Sequence, residues 1–443
     1  MKFDRGQITK RIVSKHERIL AGGLGVGAIL LAIWAIDAAA LLQVDWILNK
    51  WILGISFLGV FITGVAGYLA ADESGVIQYI GWGDTVDSIG GFREEFVLRG
   101  YLLFRYLCTR PVIAWTVGII VPIVPAIAFY QESAVWPQFG DPPIIIERSV
   151  GIVNGDPFWQ YRDPPLRYIP IVVLIELFHW IATPTQIVTA YSFSVEYLIL
   201  PVLVYIYAVR VGDRKSGYIS LFLLGLLTYV IFPSSSPVWT ENGFWMYAYG
   251  MVPLMGSLIA MTIESRWRWS VVGICLGMTA LTQFLLAAIG AVSVTLAYLY
   301  ERELSDLVLS GVTSIIVSTP LLASLPYHYQ HWRNEGNSRR VYDSHFSPLG
   351  EFLLTILLIL ALISALYFVY RDREWPLSPS IASYTLITGF CYILFTFVLH
   401  WGWYQLLTGY AFKFGLIVSL SITIKEAVGI LESKYRDQVS GAA

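Results

Sequence analysis

Asp141, Asp156 and Asp163 share one polar stretch of an otherwise apolar chain, DPPIIIERSVGIVNGDPFWQYRDPPLRY from Asp141 to Tyr168. A carboxylate at the mouth of a membrane can act as general base, taking the proton from an attacking hydroxyl. Asp141 precedes Pro142, Pro143 and the helix-like run IIIERSVGIVNG. An aspartate before proline at a helix start is also an ordinary N-cap, so Asp141 has a structural reading beside the catalytic one. Gly155 is placed to stop that helix. Asp156-Pro157 and Asp163-Pro164-Pro165 read as turns.

Further candidates lie within apolar runs. Lys413, in YAFKFGL, is costly in lipid and so a functional candidate. It also sits near the HWGW turn, where its ammonium could snorkel to the interface. Glu176 and His179, in LIELFHW, share a helix face. Buried as a pair they could relay a proton; otherwise they line a wet groove under the loop. Asp37 and Glu196 are intramembrane acids to which the sequence assigns no partner. His328, His331 and His345 stand beside Tyr327, Tyr329 and Tyr342, but their spacing matches no helix or hairpin metal site. No cofactor is assigned, and no spacing indicates a divalent metal.

The elements that must hold these residues are membrane helices. The 443 residues are 56% hydrophobic and 14% charged, against about 25% charged in soluble domains. Repeated apolar runs near the length that crosses a bilayer identify an all-α polytopic membrane protein. A formal net charge of −2 does not suit nucleic acid as a partner. Cys108, Cys275 and Cys391 form neither a disulfide framework nor a CxxC motif. The basic lead MKFDRGQITKRIVSKHERIL keeps the N-terminus cytoplasmic, and the apolar run after it is too long for a signal peptide.

Spans are expected near residues 19–42, 51–71, 111–130, 168–184, 188–208, 216–233, 247–264, 268–283, 284–300, 305–325, 349–370, 378–399 and 403–424. That makes about 12–13 transmembrane helices with both termini cytoplasmic. The chain divides into residues 1–110, two spans and a cytoplasmic interfacial amphipathic helix; 111–325, a core with an outer loop over 131–167; and 326–443, a second outer loop and three C-terminal spans. By parity the Asp141–Tyr168 loop is extracytoplasmic, on a multi-pass protein of the cell membrane. Two full crossings after it would place Arg210, Arg214 and Lys215 outside, against the positive-inside bias. The stretch 168–184 is therefore expected to be short, tilted or partly re-entrant, with TPTQIVTAYS as its connection onward. Arg333, Arg339 and Arg340 fall outside against the same bias; they are either tolerated there or hold a phosphate.

The loop's order is acidic residue, short helix, Gly, aromatic-rich turn, Pro-Pro-Leu, membrane helix. In ERSVGIVNGDPFWQYRDPPLRY the chain resembles the GT-C superfamily of polyprenyl-phosphate-sugar-dependent glycosyltransferases, in the glycosylphosphatidylinositol and polyprenol mannosyltransferase-like branch. The outer FPSSSP, the run YAYGMVPLMGSLIAM and the Gly-rich WSVVGICLGMTALTQFLLA with its Thr-Gln pair continue the likeness over residues 111–325. Departures are Asp-Pro-Pro where the family has an aromatic or acidic residue after the Asp, and two spans ahead of the matching region. The resemblance implies inverting transfer from a lipid-linked sugar donor to a glycan, lipid or protein acceptor. One of Asp141, Asp156 and Asp163 would be the base. Arg148, Arg162, Arg167, Arg339, Arg340 and Lys413 would meet the donor phosphate. Tyr161, Tyr168, Glu176, His179 and Trp403 would line the substrate groove.

Two other classes are weighed. A carrier would centre function on mid-membrane residues such as Glu176, Glu196 and Lys413, although no paired inverted halves are visible. GFREEFVLRGYLLFR, with Glu94, Glu95 and Arg99, looks like the EExxxR helix of CAAX-type intramembrane proteases. The downstream FxxxH and HxxxN or HxxxD that such a metal site needs are missing, which leaves charge pairs on an interfacial helix.

Overall fold

The computed structural model describes residues 110–120, 122–123, 141–157, 165–230, 245–335, 377–395 and 402–441. Among them there is helix and no strand. In chain order the helices are α1 (Pro111–Trp115), α2 (Asp141–Val153), α3 (Ile169–Phe178), α4 (Pro184–Ser194), α5 (Leu200–Val211), α6 (Arg214–Val230), α7 (Trp245–Met261), α8 (Arg268–Thr282), α9 (Phe284–Glu301), α10 (Leu304–Glu335), α11 (Pro379–Ile393) and α12 (Gly402–Gly441). A π-turn over Thr116–Ile120 extends α1, and another over Val195–Ile199 joins α4 to α5. Among the described residues, four segments are long and apolar enough to cross a membrane: Pro184–Val211, Phe284–Glu301, Leu304–Leu321 and Leu407–Glu426.

The chain forms two compact units, Met1–Glu132 with Leu221–Pro233, and Ser133–Ser220 with Ser234–Ala443. In the first, the end of α6 packs on α1 and its π-turn at two glycines. A Cβ on Gly225 would collide with the Val117 carbonyl, and one on Gly118 would come within 2.8 Å of the Leu221 carbonyl oxygen.

In the second unit α12 runs through the interior, and α10 exposes Val308, Ile315 and Ile316, as a lipid-facing helix does. α8 packs on α10 through two glycines. A Cβ on Gly273 would lie 2.6 Å from the Ser310 carbonyl oxygen, and one on Gly277 would lie 2.6 Å from Val317 Cβ. Two glycines four apart let backbones approach where lipid supplies no hydrophobic drive between helices.

Local chemistry sets the ends of these helices. Thr183 and Gln186 form a reciprocal capping box with Pro184 in the first turn. Helix therefore starts at Pro184, and most of TPTQIVTAYS is helical instead of connecting two spans. Its Ser192 and Ser194 hydroxyls donate to the carbonyls one turn back, Val188 and Ala190. Ahead of the box, α3 has ten residues, about 15 Å of rise against a hydrocarbon core of about 30 Å. The sequence also expects 168–184 to be short. At the other end of this hairpin pattern, α8 and α9 are separated by Gln283 alone, in extended conformation (φ −151°).

Candidate functional site

The polar stretch first forms α2, which ends in two bonds that define a Schellman cap. The Gly155 N–H donates to the Ile152 carbonyl at 3.0 Å, and the Asp156 N–H to that of Gly151 at 2.9 Å. Gly155 has φ +104°, the left-handed backbone this cap needs. Asp156 is thus held directly beyond the cap. Asp141 opens α2.

The stretch returns through a 3₁₀ turn, Pro165–Arg167, where two buried side chains fasten it. Tyr168 is buried, and its hydroxyl accepts from Arg148 Nη1 of α2 at 3.3 Å. Arg167, 5% exposed, sends Nη2 to the Thr282 carbonyl and to Gln283 Oε1, each at 3.3 Å. The one-residue break between α8 and α9 leaves that carbonyl available, because a helix's last carbonyls have no partner within the helix. Gly250 of α7 lies against the same break: a Cβ there would be 2.9 Å from Gln283 Cβ. The adjacent Tyr249 lies within electrostatic reach of Arg167. The Tyr249 hydroxyl bonds Ser192 of α4, and its ring meets Tyr191 at 5.0 Å between centroids. Loop, helix break and α4 thereby form one polar layer.

A second cluster adjoins it. Glu196, in the π-turn and one helical turn beyond Ser192, accepts from the Tyr410 hydroxyl of α12. Lys413, 1% exposed, interacts electrostatically with Glu196. Its ammonium lies 4.8 Å from the Tyr410 ring centre and 5.0 Å from that of Phe414. Lys413 does not snorkel, since the rings and Glu196 enclose it in the interior. The Tyr247 and Tyr410 rings, 6.4 Å apart, join this cluster to α7.

Glu176 and His179 do not form a buried relay. Both are exposed, and His179 Nδ1 lies 2.9 Å from the Glu176 backbone oxygen, not its carboxylate. The cause is the end of α3 at Phe178, which puts His179 in the following turn on a terminal carbonyl.

Arg148, Arg167 and Tyr168 are therefore brought together, with Asp141 opening the helix that Arg148 ties down and Asp156 just beyond its cap. Asp163, Arg162, Tyr161, Arg339, Arg340, His345, Asp37, Glu94, Glu95 and Arg99 lie outside the described residues, as do the side chains of Asp141, His328, His331, Arg333 and Trp403. Among the described residues no group of three His, Cys, Asp or Glu could hold a metal. Sequence reasoning missed the partner of Glu196 and the part of Tyr249 and Ser192. The Thr282-Gln283 pair was visible only as a motif, without its arginine.

No family model, curated protein or solved structure matches the chain.

Proposed function

We propose that the protein transfers a sugar from a polyprenyl-phosphate carrier to an acceptor hydroxyl on the extracytoplasmic face of the cell membrane. In this reading the chain is a GT-C-like protein of about 12–13 spans, with both termini cytoplasmic and the Asp141–Tyr168 loop outside. The observation that carries it is the anchoring of that loop by Arg167 on Thr282 and Gln283, with the Arg148–Tyr168 bond fastening the loop's two ends to each other. It ties the segment bearing the aspartates and arginines to the ends of two membrane helices. α8 has 15 residues, a rise of about 22 Å, so its tip falls short of a hydrocarbon core of about 30 Å. The planar fork of a guanidinium held at this break suits the oxygens of a carrier phosphate.

The chemistry follows from these groups. A loop carboxylate takes the proton of the acceptor hydroxyl. The oxygen attacks the anomeric carbon opposite the phosphate, and the bond from that carbon to the phosphate oxygen breaks. The configuration inverts, and the polyprenyl phosphate leaves. Arg148 and Arg167, with Arg162, Arg339 and Arg340 as further candidates, would stabilise the charge developing on it. The test is Asp141→Asn, Asp156→Asn and Asp163→Asn, one at a time, assayed for glycolipid in membranes supplied with labelled polyprenyl-phosphate sugar. One variant should lose about 100-fold or more in rate. Full activity in all three would end the catalytic reading of the loop.

One observation favours a second reading. Glu196 and Lys413 meet inside membrane-crossing segments, as charged groups on a carrier's pathway do. A carrier would lose uptake on Glu196→Gln and keep it in all three loop variants.

A further inference from the structure

Glu196 has no role in the transfer chemistry proposed above, yet its surroundings, Lys413 among them, are built. Glu196 occupies a π-turn, an irregularity common at functional sites. Tyr410 satisfies one carboxylate oxygen, Oε2. Lys413 stands by with its charge against two aromatic faces. Among the described residues, the other titratable groups around them are phenols: Tyr197 on the same turn, Tyr247 on α7, whose ring meets that of Tyr410, and Tyr384 on α11, which donates to the Ala411 carbonyl at 2.8 Å. Glu196 is only partly buried. The Ser192 hydroxyl lies one turn away on the same helix, bonded to Tyr249 in the layer beneath the loop.

We propose that Glu196, Tyr410 and Lys413 form a proton-binding site in the membrane interior. The proton adds to the Glu196 carboxylate to give the neutral acid. The Tyr410 hydroxyl stays on Oε2, and Lys413 keeps its own proton and charge. No other bond forms or breaks. With the proton bound, the pair carries the charge of Lys413 alone, and the electrostatic tie between α12 and the π-turn weakens. A proton is thereby coupled to the packing of the innermost helix. The site does not depend on sugar transfer: a protein without transferase activity could still bind the proton, and the reverse.

The experiment is infrared difference spectroscopy of the full chain in lipid nanodiscs, acidified stepwise in water and in heavy water. The carbonyl stretch of a protonated carboxylic acid should grow on acidification and shift in heavy water. It should be absent in Glu196→Gln and displaced in Tyr410→Phe, which keeps the ring and removes only the hydroxyl. Lys413→Met should change the proton concentration at half-saturation by about tenfold or more. Because Glu196→Gln removes the charge facing a buried lysine, Tyr410→Phe provides the second, milder arm. The proposal is overturned if the wild-type protein shows no acid band over the range in which it stays folded. It is equally overturned if the band persists unchanged in both Glu196→Gln and Tyr410→Phe.

Discussion

Two charged clusters in the second unit contain the same chemistry in opposite surroundings. At the ends of α8, α9 and α10, Arg268 is met by Glu303, by Asp306 at 3.1 Å and by Glu301 at 3.9 Å, and its guanidinium lies 5.5 Å from the Tyr298 ring centre. All three acids come from one short stretch of chain around the α9–α10 turn, where Arg302 takes a left-handed conformation. In the interior, Lys413 meets Glu196 from a distant part of the sequence, under two aromatic rings. The first cluster is redundant and partly exposed. The second is enclosed, in segments long and apolar enough to cross a membrane. Redundancy and solvent make an ion pair cheap to lose; enclosure makes the loss of one partner expensive.

The largest effect should come from breaking the interior pair. Lys413→Met or Glu196→Gln alone leaves one charge enclosed and should cost about 3–5 kcal/mol in thermal unfolding of the detergent-solubilised protein. The double variant should recover most of that loss, and a double variant as unstable as the worse single one would remove the pairing from the comparison. Next comes the glycine seam. Gly277→Leu places a side chain where Val317 Cβ stands 2.6 Å away and should cost about 3 kcal/mol by separating α8 from α10. Gly155→Ala meets no neighbouring atom, so its cost is only that of a left-handed backbone, about 1 kcal/mol. The smallest effect should be at the clamp: Glu303→Gln leaves Arg268 with Asp306 and Glu301 and should change stability by less than about 1 kcal/mol.

What was legible in the sequence follows the same division between local and distant. Runs of apolar residues located the helices. Gly155 marked a stop because one residue's backbone freedom decides that cap. The shortness of α3 followed from the charge count of the loops on either side. The capping box at Thr183 was equally local, but the count of spans hid it, so a helix start was read as a connection. Glu196 was left without a partner because Tyr410, 214 residues away, reaches it only through the packing of α12. Arg167 was marked as a cation, but its acceptors exist only because α8 ends at a one-residue break. Lys413 had two readings, as a functional cation and as one snorkelling to a nearby turn, and the rings around it set aside the second. Pattern finds helices and their ends; which side chains face one another across helices is a property of packing.

The claim that most needs testing is that the loop anchored at Gln283 is the working end of the molecule. Transfer of labelled sugar should be measured in nanodiscs for Asp141→Asn, Asp156→Asn, Asp163→Asn and Arg167→Lys, with Glu303→Gln as the control at the clamp. One aspartate variant should fall by about 100-fold or more, Arg167→Lys should fall with it to a smaller extent, and the control should keep its rate. Loop variants that all transfer sugar as fast as Glu303→Gln would contradict the account.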